Sequence, residues 1–233
     1  MTDGRNSQEP VTIVLAHGAW ADGSSWAPVI APLQRRGLAV RAAPLHLTSL
    51  ADDVAALDRV LERIGGPVVL AGHAYAGAVI ASARGDHVQS LVFVAALAPD
   101  EGETVLDVFQ RAAPHPQAPQ LAPDPYGAIW LPDAAFPAAF AQHAPADSAA
   151  VLAAVQRPIH LPCITTPVGR PLWRDRPSWF LLAEEDRMIA AETQRFMATR
   201  MGATLCAAPV DHAPMVSAPE VVVGVLLEAM CTS

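Results

Sequence analysis

Residues 66–83 read GPVVLAGHAYAGAVIASA, and the reading of this stretch decides the fold. Val68 to Ala71 is a short apolar run, as a buried strand is, and the small residues after it lead into a helix predicted to reach about Arg84. Between them, Gly72-His73-Ala74-Tyr75-Ala76-Gly77 has the spacing of a sharp strand-to-helix turn that presents a nucleophile at its apex. The backbone at such an apex is strained, so residues two places away must be small; Gly72 and Ala76 meet that need. The N-terminus of the following helix favours negative charge developing at the apex. Close packing alone also produces turns of this kind, so the flanking sequence has to arbitrate. The apex itself is Ala74, a residue without a nucleophile.

Working outward, strands and helices alternate. Val11 to Ala16 reads as a buried strand, Ser24 and Ser25 as caps of a helix to Arg36 closed by Gly37, and Leu38 to Ala43 as a second strand. Ser49 with Asp52 resembles a capping box, after which Leu50, Val54, Leu57, Leu61 and Ile64 recur at helical spacing until Gly65-Gly66. Val88 to Ala96 is another strand, almost wholly apolar. Uninterrupted apolar strands suit a mostly parallel sheet with helices on both faces, the α/β class. Beyond Pro99 the texture changes: 14 of the 22 prolines lie between Pro99 and Pro177, too many for long regular elements. Residues 99–176, rich in aromatics, are therefore expected to form a small inserted cap, with a loose linker as the alternative; 1–98 and 177–233 form the core. The alternation resumes with a strand Ser178 to Ala183, a helix Ala191 to Met201, a strand Ala203 to Ala208 and a helix Ala218 to Met230.

Composition narrows the chemistry. The chain of 233 residues is 52% hydrophobic and 16% charged, which fits one compact domain. All 15 basic residues are Arg, so neither a Schiff-base lysine nor a phosphate-loop lysine exists. A net charge of -8 without a basic run speaks against nucleic acid or an anionic membrane as partner. The polar start, Met1 to Pro10, lacks the apolar stretch of a signal peptide, so a cytoplasmic protein is expected. Cys163, Cys206 and Cys231 show neither disulfide nor zinc spacing and are expected to be buried thiols. No metal or organic cofactor is implied, and the oligomeric state is unreadable.

Two further features accompany the turn. Ala16-His17-Gly18-Ala19-Trp20 follows the first strand, where a loop amide can join the amide after the apex in holding an oxyanion; the two donors would be Ala19 and Tyr75, with His17 in a structural role. Asp186 and His212 each follow a late strand, and a parallel sheet brings such strand ends to one edge. Asp100 is the rival acid. The other histidines, His46, His73, His87, His115, His143 and His160, lack comparable support.

These pieces in order, VLAHGAWADGSSW (14–26), LAGHAYAGAVI (70–80), LVFVAALAPDEGE (91–103), RPSWFLLAEEDRMI (176–189) and DHAPMVSAPEVV (211–222), make the chain resemble an α/β-hydrolase-fold serine hydrolase of the small esterase group, similar to plant methyl esterases and hydroxynitrile lyases. The family pattern at the turn resembles Gly-His-Ser-Tyr-Gly-Gly; Ala76 is a mild departure and Ala74 the decisive one. The resemblance implies hydrolysis of a small ester or lactone, with residue 74 as the nucleophile position, His212 as base, Asp186 as its orienting acid, and the Ala19 and Tyr75 amides as oxyanion donors. Trp20, Trp130, Trp173, Met188 and Met215 are candidates for an apolar substrate pocket, with core packing as the alternative. Arg170, Arg174 and Arg176 can meet a carboxylate or simply be solvated. Three readings of Ala74 follow: a deliberate Ser→Ala replacement that binds but scarcely turns over, a natural site using His212–Asp186 directly as a general base for lyase, cyclase or isomerase chemistry, or a ligand-binding protein without catalysis.

Overall fold

The computed structural model describes residues 10–231, so the expectation drawn from the first nine residues lies outside it. The elements are β1 (Thr12–Ala16), α1 (Ala27–Arg35), β2 (Ala39–Ala43), α2 (Leu50–Ile64), β3 (Val68–His73), α3 (Ala76–Ala81) and β4 (Val88–Val94). After β4 come α4 (Val105–Phe109), β5 (Ala128–Ile129), a π-helical turn (Phe136–Phe140), α5 (Ala146–Val155), β6 (Ile159–His160) and α6 (Leu161–Thr165). The chain then completes β7 (Ser178–Ala183), α7 (Ala191–Met201), β8 (Thr204–Ala208), α8 (Pro214–Ser217) and α9 (Pro219–Cys231).

The main sheet runs β2-β1-β3-β4-β7-β8, with every neighbouring pair parallel. β1, β3 and β7 are buried along their whole length, which is why their sequences are continuously apolar rather than alternating. Right-handed crossovers put α1 on one face and α2, α3 and α7 on the other. α9 packs on α1 and against β3, β4 and β7, covering the first face. At the centre Phe93 of β4 stacks on Phe180 of β7, with centroids 6.0 Å apart. Burying each such side chain contributes roughly 1.5–3 kcal/mol.

Local chemistry explains the boundaries and several departures from expectation. α1 is preceded by a 3-10 turn (Gly23–Trp26) capped by Asp22, whose carboxylate accepts from the Ser24 amide; the expected serine caps are themselves held by Asp22. Ser49 does cap α2, accepting from the Asp52 amide, but the Asp52 carboxylate turns to the Thr48 hydroxyl and leaves the box half made. Gly65 ends α2 in the left-handed region at φ 67°. α3 stops at Ala81, short of Arg84, because the Arg84 amide donates to Asp58 of α2 instead of continuing the helix. The stretch between β4 and β7 holds short helices and a two-residue antiparallel pair, β5–β6, as proline density leads one to expect. Of the cysteines, Cys163 is buried, Cys206 is half-buried and Cys231 is exposed. The last two depart from expectation because β8 is an edge strand and Cys231 closes the final helix.

Candidate active site

β3 delivers the chain to a turn at one edge of the sheet, where Ala74 takes φ 49°, left-handed for a residue with a Cβ. Three hydrogen bonds hold it there: its amide donates to Val94, and its carbonyl accepts from Gly77 and Leu97. Space explains the small residues around it. A Cβ on Gly72 would lie 2.6 Å from the Ala76 carbonyl oxygen, and one on Gly77 would lie 2.4 Å from the Leu97 carbonyl oxygen. The turn is thus strained and closely supported, and the side chain at its apex is a methyl group.

The loop after β1 closes on this turn. A Cβ on Gly18 would be 3.0 Å from the Ala74 methyl and 2.9 Å from His73 Nδ1, so only glycine allows the approach. Ala19 follows, then Trp20 at φ 57°. Among the described residues, neither the Ala19 nor the Tyr75 amide donates a hydrogen bond within the chain. Buried amides are seldom left unpaired, so two idle donors flanking the apex are available to an anionic oxygen.

On the same sheet edge, the loops after β7 and β8 bring Asp186 and His212 together: Nδ1 of the ring lies 2.8 Å from Oδ2 of the acid, and both side chains are buried. Asp186 is also fixed by the Met188 and Ile189 amides on Oδ1 and by the Gln194 amide group on Oδ2. A carboxylate so anchored puts the ring proton on Nδ1 and leaves Nε2 as the basic nitrogen. Asp100, the rival acid, is committed elsewhere, accepting from Arg174 Nε and Nη2 at 3.0 and 2.7 Å.

His73, which sequence reading set aside, is part of the site. Its Nε2 donates to the His212 carbonyl at 2.7 Å, and the two rings are 4.8 Å apart. Burial and the neighbouring His212 hold its pKa well below the usual histidine range, so it stays neutral. His17 is likewise held low, chiefly by burial, and bonds the Gly18 carbonyl through Nδ1, the expected structural role.

Phe140 comes from the π-helical turn and packs against His212, His73 and Trp20, with ring centroids 5.1, 6.1 and 6.4 Å away. No motif in the sequence singles it out. Of the expected pocket residues, Trp20 meets Phe140, Met188 donates its amide to Asp186, and Met215 is buried just after His212. Trp130 is 49% exposed and directs its indole N–H to Asp124. Trp173 packs instead near the guanidinium groups of Arg174 and Arg200, 5.7 and 5.9 Å from its ring. The three arginines are engaged locally, Arg170 with Asp175, Arg174 with Asp100 and Arg176 with the Val88 carbonyl. No group of three or more His, Cys, Asp or Glu among the described residues could hold a metal ion. No helix among them is long and apolar enough to cross a membrane.

Comparison with known proteins agrees with this fold. Polyneuridine aldehyde esterase superposes with a TM-score of 0.83 at 18% identity, covering 94% of this chain and 99% of its own. A pyrethroid hydrolase from Sphingobium faniae JZ-2 gives 0.79 at 22%, with 94% and 97% covered, and a methylesterase from Arabidopsis gives 0.78 at 15%, with 96% and 100% covered. At these identities the likeness shows the fold. No curated protein matches the sequence. A model of the alpha/beta hydrolase family matches residues 13–225. With that span and this topology, the chain belongs to the alpha/beta hydrolase family.

Proposed function

We propose that the site is an acyl-transfer site for a small ester or lactone, in which the nucleophile position is filled by Ala74, so that the chain as it stands binds its substrate and scarcely hydrolyses it. The observation that carries this reading is the strained apex at residue 74 beside a complete His212–Asp186 pair. With a hydroxyl at 74, His212 Nε2 takes its proton, the hydroxyl oxygen attacks the acyl carbon, and the Ala19 and Tyr75 amides hold the oxyanion. Asp186 keeps the ring oriented and stabilises its charged form. A methyl group has no lone pair, and loss of the nucleophile costs on the order of 10⁶ in turnover while binding survives. Trp20, Phe140, Met188 and Met215 give the pocket its apolar character and favour a neutral acyl group. The esterases and the pyrethroid hydrolase that share the fold support the same substrate class.

The test is Ala74→Ser assayed on short aryl esters and lactones. Turnover is expected to appear at least about 10³-fold above the unmodified chain; a folded variant that stays silent on every member contradicts the reading. One observation favours a second reading. The His212–Asp186 pair is fully assembled without any help from residue 74, so it can act directly as a general base on water or an acidic C–H, as a lyase, cyclase or isomerase requires. Activity in the unmodified chain that disappears in His212→Ala would select it. A purely binding role is marked by ligand affinity that His212→Ala leaves intact.

A further inference from the structure

Both oxyanion donors are tied to the same small feature outside the main sheet. The first string starts at Tyr75, whose hydroxyl donates to Asp53 Oδ2 at 2.8 Å. Asp53 sits in the first turn of α2 and is fully buried; its Oδ1 accepts the His46 and Leu47 amides at 2.6 and 2.9 Å. The Cys163 thiol of α6 approaches Oδ2 at 3.9 Å. Leu47 is held at φ 62° and its carbonyl accepts from the His160 amide of β6. The second string starts next to Ala19, at Trp20. Its backbone amide donates to Arg157, just before β6, and its indole N–H donates to the Ile129 carbonyl of β5 at 2.9 Å. β5 and β6 pair with each other, Ala128 opposite His160 and Ile129 opposite Ile159. Among the described residues, the two left-handed non-glycine residues outside the β3 and β4 exits, Trp20 and Leu47, are therefore both fastened to this one strand pair and the residues leading into it.

Strained backbone persists only where its surroundings over-determine it, and a buried carboxylate persists only where its oxygens are satisfied. Neither feature is required by the main sheet. We propose that the β5–β6 pair is the positioning device of the oxyanion site: through Ile129 and Trp20 it sets the Ala19 amide, and through His160, Leu47, Asp53 and the Tyr75 hydroxyl it sets the Tyr75 amide. Asp53 and Trp20 are then positioning residues, acting through other groups without touching the reacting atoms. This inference rests on the acyl-transfer reading for its kinetic consequence, and its structural half stands apart from that reading.

Two measurements separate the two. In the Ala74 chain, amide hydrogen exchange is followed by NMR at Ala78, which donates to the Tyr75 carbonyl, and at Val92 in the core of β4. Asp53→Asn keeps an acceptor for the His46 and Leu47 amides, and is expected to speed exchange at Ala78 by at least about tenfold while Val92 stays unchanged. Tyr75→Phe is the second variant and gives the same result should Asp53→Asn fail to fold. Unchanged exchange at Ala78 in the folded variants overturns the proposal whatever the protein catalyses. In the Ala74→Ser background, Asp53→Asn is expected to lower kcat by about tenfold or more with KM within about twofold. Asp53→Asn combined with Tyr75→Phe should lower it no further than either alone, because both cut one string. A loss confined to KM, or effects of those two that simply multiply, overturns it as well. Silence of Ala74→Ser itself counts against the acyl-transfer reading and leaves the exchange experiment to decide this one.

Discussion

At Ala74 the backbone is held in the left-handed region by hydrogen bonds to Val94, Gly77 and Leu97. The φ of 49° at this position is unfavourable for any residue with a Cβ, and Gly18, Gly72 and Gly77 stand where a methyl group would collide with the turn. Gly77 is the least forgiving, since its added Cβ would meet the backbone carbonyl oxygen of Leu97 at 2.4 Å, and the amide of Leu97 is itself bonded to the Ala74 carbonyl. Gly77→Ala is accordingly expected to lower unfolding free energy by about 2–3 kcal/mol in urea denaturation; a change under about 0.5 kcal/mol would mean that the turn yields easily. The small residues Gly72 and Ala76 were legible because spacing alone exposes them; Gly18, in a distant loop, was not. His73 was not, since a histidine inside an apolar strand carries no sign of its partner, and the carbonyl it bonds belongs to His212, 139 residues away. Asp186 and Asp100 were both plausible acids in sequence, each following a strand; only coordinates reveal that Arg174 occupies one and His212 the other.

Most helices and strands of the main sheet were readable to within about three residues, because continuous apolar runs and Gly stops encode them directly. The stretch between β4 and β7 was readable only as a change of texture. Its short elements depend on distant partners, such as the Leu47 carbonyl that anchors β6, and no periodicity announces these. The π-helical turn is the clearest instance. A single-turn widening of this kind is rare and tends to occur at functional sites, and here it aims Phe140 at His212. Trp130, just after β5, is half-exposed, which its sequence context does not announce. Phe140→Ala should cost about 3–5 kcal/mol in unfolding free energy, as buried aromatic truncations do, and should leave His212 and Trp20 lining the vacated space. A loss below about 1 kcal/mol would show that the ring contributes little packing.

The whole molecule folds around several buried ionisable groups, and their balance makes stability depend on pH. His17 and His73 are kept below the ordinary histidine value of 6.5 by burial, with the His212 charge adding to the effect at His73. Below that value the unfolded chain takes up protons that the fold refuses, so stability is full above about pH 6.5 and is lost as pH falls. The urea midpoint should therefore drop between about pH 7.5 and about pH 5.5, and His73→Asn should flatten the slope; a midpoint that rises on acidification would contradict the neutral assignment. The absence of lysine, read from sequence, leaves His212 and Asp186 as the proposed acid–base pair of the site. That site is where the account is most exposed. Treatment of Ala74→Ser with a fluorophosphonate, followed by intact-mass and peptide-mapping spectrometry, tests it most directly. One adduct on residue 74 is predicted, absent from the unmodified chain and lost again when His212→Ala is added; a folded Ala74→Ser protein that takes no adduct, or takes it at another residue, would contradict the convergence of the turn, the base and the oxyanion donors on one acyl-transfer site.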